Sequence, residues 1–165
     1  MSKQIVHKFS LDEEEEIFIW AISTGKSPHQ LAYFLNLQFD WKLQLSDNLF
    51  PVENKKTEKQ YNFSFYGFDS QKLLTTFFII KNKQHNTVVN PSLGKWDFFI
   101  VAKSREYFDD EDFVRRLREI DFIIALYSIE KSNFDNLSYL TLEKNEENKN
   151  RSYFRSGLQQ QRDIT

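Results

Sequence analysis

The sequence contains no cysteine. Disulfide staples, thiol nucleophiles and Cys-ligated zinc are therefore excluded. Glycine is scarce: the four copies, Gly25, Gly67, Gly94 and Gly157, never fall close together. A backbone cradle for phosphate needs several glycines in one loop, so no familiar phosphate loop is present. There is no G-x-S-x-G elbow to expose a nucleophilic serine. No apolar run approaches the roughly 18 residues of a membrane-spanning helix. The first nine residues lack the apolar core and small-residue cleavage site of a secretory signal, so the expected compartment is the cytoplasm. Charge of one sign is lacking too: 22 Lys and Arg against 24 Asp and Glu leave a formal net charge of −2. Surfaces built wholly for nucleic acid or anionic lipid are strongly basic. Only a local basic patch is compatible with this balance.

Aromatic residues, by contrast, are abundant, with 17 Phe among 165 residues. Disorder goes with few aromatics and a large net charge, so most of the chain folds. The length suits one domain with a real core. The expectation is a single globular α+β domain over residues 1–144, followed by a disordered polar tail over 145–165 in which Asn, Lys, Glu, Gln and Arg dominate.

Along the chain, residues 4–9 alternate weakly and fit a short edge strand. Ser10 with Glu13 has the spacing of a capping box, and the acidic run Glu13–Glu16 suits a helix N-terminus. Ile17, Trp20 and Ala21 then share a helical face, which predicts a first helix ending at Thr24-Gly25. Ser27-Pro28-His29-Gln30 repeats the signature, with Pro at the first helical position. A second helix follows, with Leu31, Phe34 and Leu35 inward. Alternation then predicts half-buried strands at Trp41–Leu45 and Tyr61–Tyr66, separated by a polar loop over 46–59. The run from Leu73 to Ile80 is apolar or Thr throughout and belongs inside a sheet. A long polar loop over 81–94 leads to the densest stretch, residues 95–127.

That stretch reads as strand, helix, strand. Trp96–Ala102 and Ile120–Tyr127 are apolar runs suited to strands buried on two faces. Between them Asp109 or Asp110 caps a helix whose Phe113 and Leu117 face the sheet, with Val114 and Ile120 beside them. A crossover of this length can join parallel neighbours. A last strand is expected near Tyr139–Leu142. The fold class is α+β: a mixed, mainly antiparallel sheet of about five or six strands, packed by two N-terminal helices and one helix near residues 109–119.

Chemistry-bearing residues are sparse. His7, His29 and His85 have no second His or carboxylate at ligand spacing, so no metal site and no cofactor are expected. Asp97 and Asp121 each sit near the start of an apolar run. Together they are the one carboxylate pair a small acid–base enzyme could use. Strand-end acids more commonly cap neighbouring backbone or meet arginines, and Asp121 is assigned a structural role. Basic residues cluster at Lys55, Lys56 and Lys59, at Lys81 and Lys83, and at Arg115, Arg116 and Arg118. The helix arginines with Lys55 and Lys56 are the candidate phosphate or partner contacts. The commoner meaning of such a run is a solvated helix face.

The segment Val114-Arg115-Arg116-Leu117-Arg118-Glu119-Ile120-Asp121-Phe122 resembles a degenerate form of the motif that names the IPExxxVDY family of Bacteroidota. Val114 stands for Ile, and Ile120-Asp121-Phe122 for Val-Asp-Tyr. Arg115 and Arg116 replace the Pro and Glu. The similarity spans roughly residues 5–129. It implies no activity and no catalytic residues. The genomic neighbours of such proteins, ribonuclease III among them, imply an RNA-linked setting. The expected function is a non-enzymatic interaction or accessory domain with an unknown protein partner, acting through a sheet edge or an aromatic-lined groove. The alternative is an RNA-linked accessory protein.

Overall fold

The structure, a computed structural model, describes residues 14–142. Its centre is a six-stranded sheet that carries apolar side chains on both faces. The strands are β1 (Glu16–Ser23), β2 (Gln44–Leu45), β5 (Phe65–Ser70), β6 (Thr75–Lys81), β9 (Phe98–Ser104) and β10 (Ala125–Ile129). Their order is β10-β1-β9-β6-β5-β2, and every pairing is antiparallel. Two helices, α1 (Pro28–Phe39) and α2 (Asp110–Arg118), lie on one face. The other face is covered by a hairpin, β3 (Phe50–Asn54) with β4 (Lys59–Phe63), and by the segment that follows β10. A small ladder, β7 (Lys83–Gln84) with β8 (Thr87–Val88), shapes the loop before β9. This is an α+β single-domain fold.

Two-sided burial accounts for the phenylalanine content. In β6 and β9, alternate residues enter opposite cores: Phe77, Ile79, Phe98, Ile100 and Ala102 face the helices, while Phe78, Ile80, Phe99 and Val101 face the hairpin. Each fully buried side chain of this size contributes about 1.5–3 kcal/mol of transfer free energy. A sheet with solvent on one face would need half as many.

The expected first helix is a strand. Residues 16–23 form β1, set between β9 and β10. Trp20 and Ile22 join the helix-side core while Ile19 and Ala21 join the hairpin-side core. Ile17-Phe18-Ile19-Trp20-Ala21-Ile22 is apolar at six consecutive positions, so it satisfies a helical period and a two-faced strand equally. β-Branched and aromatic residues favour the strand, and the vacant central position in the sheet decides it. Among the described residues one N-terminal helix, α1, therefore remains. The edge strand expected at residues 4–9, the Ser10–Glu13 box and the tail at 145–165 lie outside the described residues.

The second box formed as expected. Ser27 caps α1, Pro28 takes the first helical position, and the Ser27 backbone N–H donates to Gln30 Oε1 at 3.0 Å. The helix ends at Asp40 in the left-handed region (φ 55°). That turn sends Trp41 into the core. Asn36 then receives the next residues like a strand: Leu43 N–H donates to its Oδ1 at 2.8 Å and its Nδ2 donates to Leu43 O at 3.2 Å. The expected strand over 41–45 thus shrinks to the two residues of β2.

The expected loop over 46–59 contains β3, and Tyr61–Tyr66 is divided between β4 and β5. The strand–helix–strand unit over 95–127 exists, but its strands are not neighbours, because β1 lies between them. β9 is buried at all seven positions, as its composition requires. β10 is an edge strand with Ile129 its one buried residue. The last strand expected near Tyr139–Leu142 is absent: residues 137–139 form a 3-10 turn and 140–142 no regular element.

Candidate functional site

A broad depression lies where α1 ends, the β5–β6 turn projects and α2 begins. It encloses about 510 Å³. Its floor is aromatic: Phe39 and Trp41 stack at 4.7 Å, Phe39 and Phe113 lie 5.2 Å apart, and Trp41 reaches Phe68 at 6.3 Å. Below them Trp41 stacks on Phe77 at 4.1 Å and anchors the cluster to the sheet. The rim carries Tyr107, 86% exposed, and Leu73, 42% exposed. Leu74, next to Leu73 in the turn, adopts a left-handed conformation (φ 48°). For a large side chain that conformation is strained, and such strain concentrates at working sites.

Three charged groups of the rim, Arg116, Asp109 and Asp112, are engaged. Arg116 lays its guanidinium over the Phe39 ring at 4.5 Å and donates to Gln38 O at 3.4 Å. Asp109 caps α2, accepting from Asp112 N at 3.0 Å. Asp112 in turn accepts from Arg115. The cleft therefore offers mainly apolar contact, with Asp40 and Lys72 at its margin.

The helix arginines fall into three different settings. Arg115 is held by Asp112 and by Glu119 (3.0 Å). Its pKa is raised, chiefly by the hydrogen bond with Asp112 and then by the two negative charges. Arg116 belongs to the cleft. Arg118 is exposed and makes no ion pair or hydrogen bond among the described residues. Lys55 and Lys56 lie in the β3–β4 turn, and that hairpin covers the face opposite α2. The sheet separates the two basic groups rather than bringing them together.

Asp97 and Asp121 precede β9 and β10 at the same end of the sheet. Asp97 Oδ2 accepts from Thr24 N at 2.9 Å and Ser23 Oγ at 3.1 Å, which closes the end of β1. Asp121 is exposed in the turn after α2, with no side-chain hydrogen bond or ion pair among the described residues. No contact joins the two acids. His29 Nδ1 lies 3.3 Å from Ser27 Oγ, and His85 stacks on Tyr61. Among the described residues no three His, Asp or Glu side chains gather as a metal site, and no helix is long and apolar enough to cross a membrane.

Sequence reasoning overlooked Lys103. It lies inside β9, only 8% exposed, at a depression of about 500 Å³ on the hairpin side. Its ammonium donates to Leu137 O at 2.7 Å and Leu140 O at 2.8 Å, over the Phe78 ring. Burial lowers its pKa, opposed by the negative charge of Glu15. Nearby Asp69 accepts from Thr76 Oγ1 at 2.9 Å and Arg105 at 3.2 Å. A lysine on the inward beat of an otherwise apolar strand was the available signal.

Lys103 fastens the segment after β10 across the sheet. Other ties are Asn48 Nδ2 to Thr141 O (2.9 Å), Asn90 Nδ2 to Asn133 O (2.7 Å) and Asn136 Nδ2 to Pro51 O (3.1 Å). Phe134 meets Phe99 edge-on at 5.1 Å. Leu142 lies over Gly67, where an added Cβ would come within 2.4 Å of its Cδ2. The segment forms a strap held by side chains rather than by a ladder.

Comparison with models of known families finds no match, and no curated protein matches the chain.

Proposed function

We propose that this chain is a non-enzymatic interaction domain that takes a linear peptide segment of a partner protein into the cleft of Phe39, Trp41, Phe68 and Phe113. The observation that carries this reading is an aromatic floor open to the surface, beneath the exposed Tyr107 and Leu73. Binding energy concentrates where a bulky apolar anchor fills such a pocket. Arg116, Asp109 and Asp112 are already engaged and the floor is aromatic, so the partner's anchor is an aromatic or branched aliphatic side chain, with Asp40 and Lys72 left to meet polar groups beside it. The resemblance to the IPExxxVDY family supplies no activity that competes with this reading.

The RNA reading has weaker support, since Arg115 is tied to carboxylates and Lys55 and Lys56 lie across the sheet from it. Selection from a random peptide display library on the full chain separates the two. Selected peptides should share one bulky apolar residue. Tyr107→Ala and Leu73→Asp should each weaken them about tenfold, or about 1.4 kcal/mol. Peptides bound equally by both variants would overturn the proposal. So would tight, salt-sensitive binding of a mixed-sequence RNA oligonucleotide that disappears when Arg115, Arg116 and Arg118 become Ala.

A further inference from the structure

The sheet has two edges of unequal kind. One is β2, only two residues long. The other is β10, five residues long, whose one ladder is with β1. Its outer side presents alternate backbone N–H and C=O groups that no other described strand receives. Proteins ordinarily protect such an edge with charge, proline, a bulge or a covering segment. The run Ile124-Ala125-Leu126-Tyr127-Ser128-Ile129 contains no charged residue and no proline. Ile124 is 76% exposed and Tyr127 61% exposed. The β3–β4 hairpin, by contrast, carries Pro51, Glu53 and Lys59.

We propose that β10 pairs antiparallel with β10 of a second copy of this chain, joining two six-stranded sheets into one about a two-fold axis. The flanking charges favour that orientation. Asp121 precedes the strand, Glu130 and then Lys131 follow it, and none of the three makes an ion pair among the described residues of its own chain. Antiparallel pairing brings each Asp121 toward Lys131 of the second copy, twice over. Parallel pairing would set Asp121 against Asp121. The side chains also continue across the axis. Tyr127, already stacked on Trp96 at 6.2 Å, would meet its counterpart as a cross-strand aromatic pair. Leu126 would extend the helix-side core toward its own copy.

The test uses the full chain. Sedimentation equilibrium should give a dimer that dissociates on dilution, and Ile124→Lys with Tyr127→Lys should give a monomer whose far-UV circular dichroism is that of wild type and whose melting temperature, unlike that of wild type, does not depend on concentration. Because the chain has no cysteine, Tyr127→Cys introduces a single thiol beside the proposed axis. Mild oxidation should yield covalent dimer several-fold above that of an exposed control, Glu53→Cys. A wild-type chain that stays monomeric at all concentrations would overturn the proposal. So would a dimer indifferent to the lysine pair, or Tyr127→Cys cross-linking no better than the control.

Discussion

Replacing Lys103 by Met tests whether one buried ammonium holds the strap to the sheet. The variant keeps the stem that packs over Phe78 and removes both donations, to Leu137 O and to Leu140 O. The Leu137 carbonyl retains Leu140 N–H at 3.1 Å. The Leu140 carbonyl has no other partner among the described residues, and Leu140 is 1% exposed. An orphaned buried acceptor costs about 1–3 kcal/mol, and hydrogen bonds from a charged donor contribute about 1.5–3 kcal/mol each. Relief of the ammonium's desolvation offsets part of this loss. The net expectation is destabilisation by about 2 kcal/mol, or roughly 4–8 °C in Tm for a chain of this size. Urea unfolding followed by tryptophan fluorescence measures the global term, and amide exchange over residues 137–142 reports the local one. A pH series adds a signature that packing alone would not give. Burial holds the folded-state pKa below the ordinary 10.5, so the unfolded chain binds this proton more tightly. Wild-type stability relative to Lys103→Met is then constant below the folded-state pKa and rises with pH from there to about 10.5. A variant within about 0.5 kcal/mol of wild type, with unchanged strap exchange and no pH-dependent difference, would refute this reasoning.

Two further outcomes follow from the same geometry. Gly67→Ala should destabilise by about 1–2 kcal/mol, because its Cβ would fall 2.4 Å from Leu142 Cδ2. Combined with Leu142→Ala it should cost less than the sum of the single changes, and a purely additive cycle by chemical denaturation would show that the strap does not rest there. Asp97→Ala should cost about 1–2 kcal/mol by loss of the acceptor for Ser23 Oγ and Thr24 N, while the exposed Asp121→Ala should stay within about 0.5 kcal/mol in the same melts.

Legibility in the sequence followed the range of the forces involved. The α1 start was readable because Ser27, Pro28 and Gln30 act within one turn. A cap at Asp109 or Asp110 and the inward face of Phe113 and Leu117 were readable for the same reason, and the interior positions of β6 and β9 from their unbroken apolar runs. β1 was misread because a run apolar at every position carries no period. Only its neighbours, supplied by residues 98–104 and 125–129, make it a strand. β3 was hidden by Pro51 and by the polar residues around it, although Phe50 and Val52 point inward. The strap mimicked a strand in composition, yet its carbonyls are received by Lys103 and asparagine side chains from distant parts of the chain. The cleft was the least legible feature. Phe113 looked like a core position in its own segment, Phe39 and Phe68 fell where one element gives way to the next, and nothing local indicates that their edges converge on an opening.

The placement of β1 has a consequence for how the chain reaches this structure. It is the first described strand, yet Ile19 pairs with Val101 on one side and Ile129 on the other. During synthesis six consecutive apolar residues must wait for partners that emerge about a hundred residues later. Such long-range closure makes for slow, high-contact-order folding. The hairpin of β5 and β6 can assemble early, but the sheet stays divided until β9 and then β10 emerge and close around β1. A nascent chain released before residue 129 would expose the flank of β1 that β10 covers. That apolar strand then becomes the point at which a molecular chaperone, or aggregation, would first engage this protein.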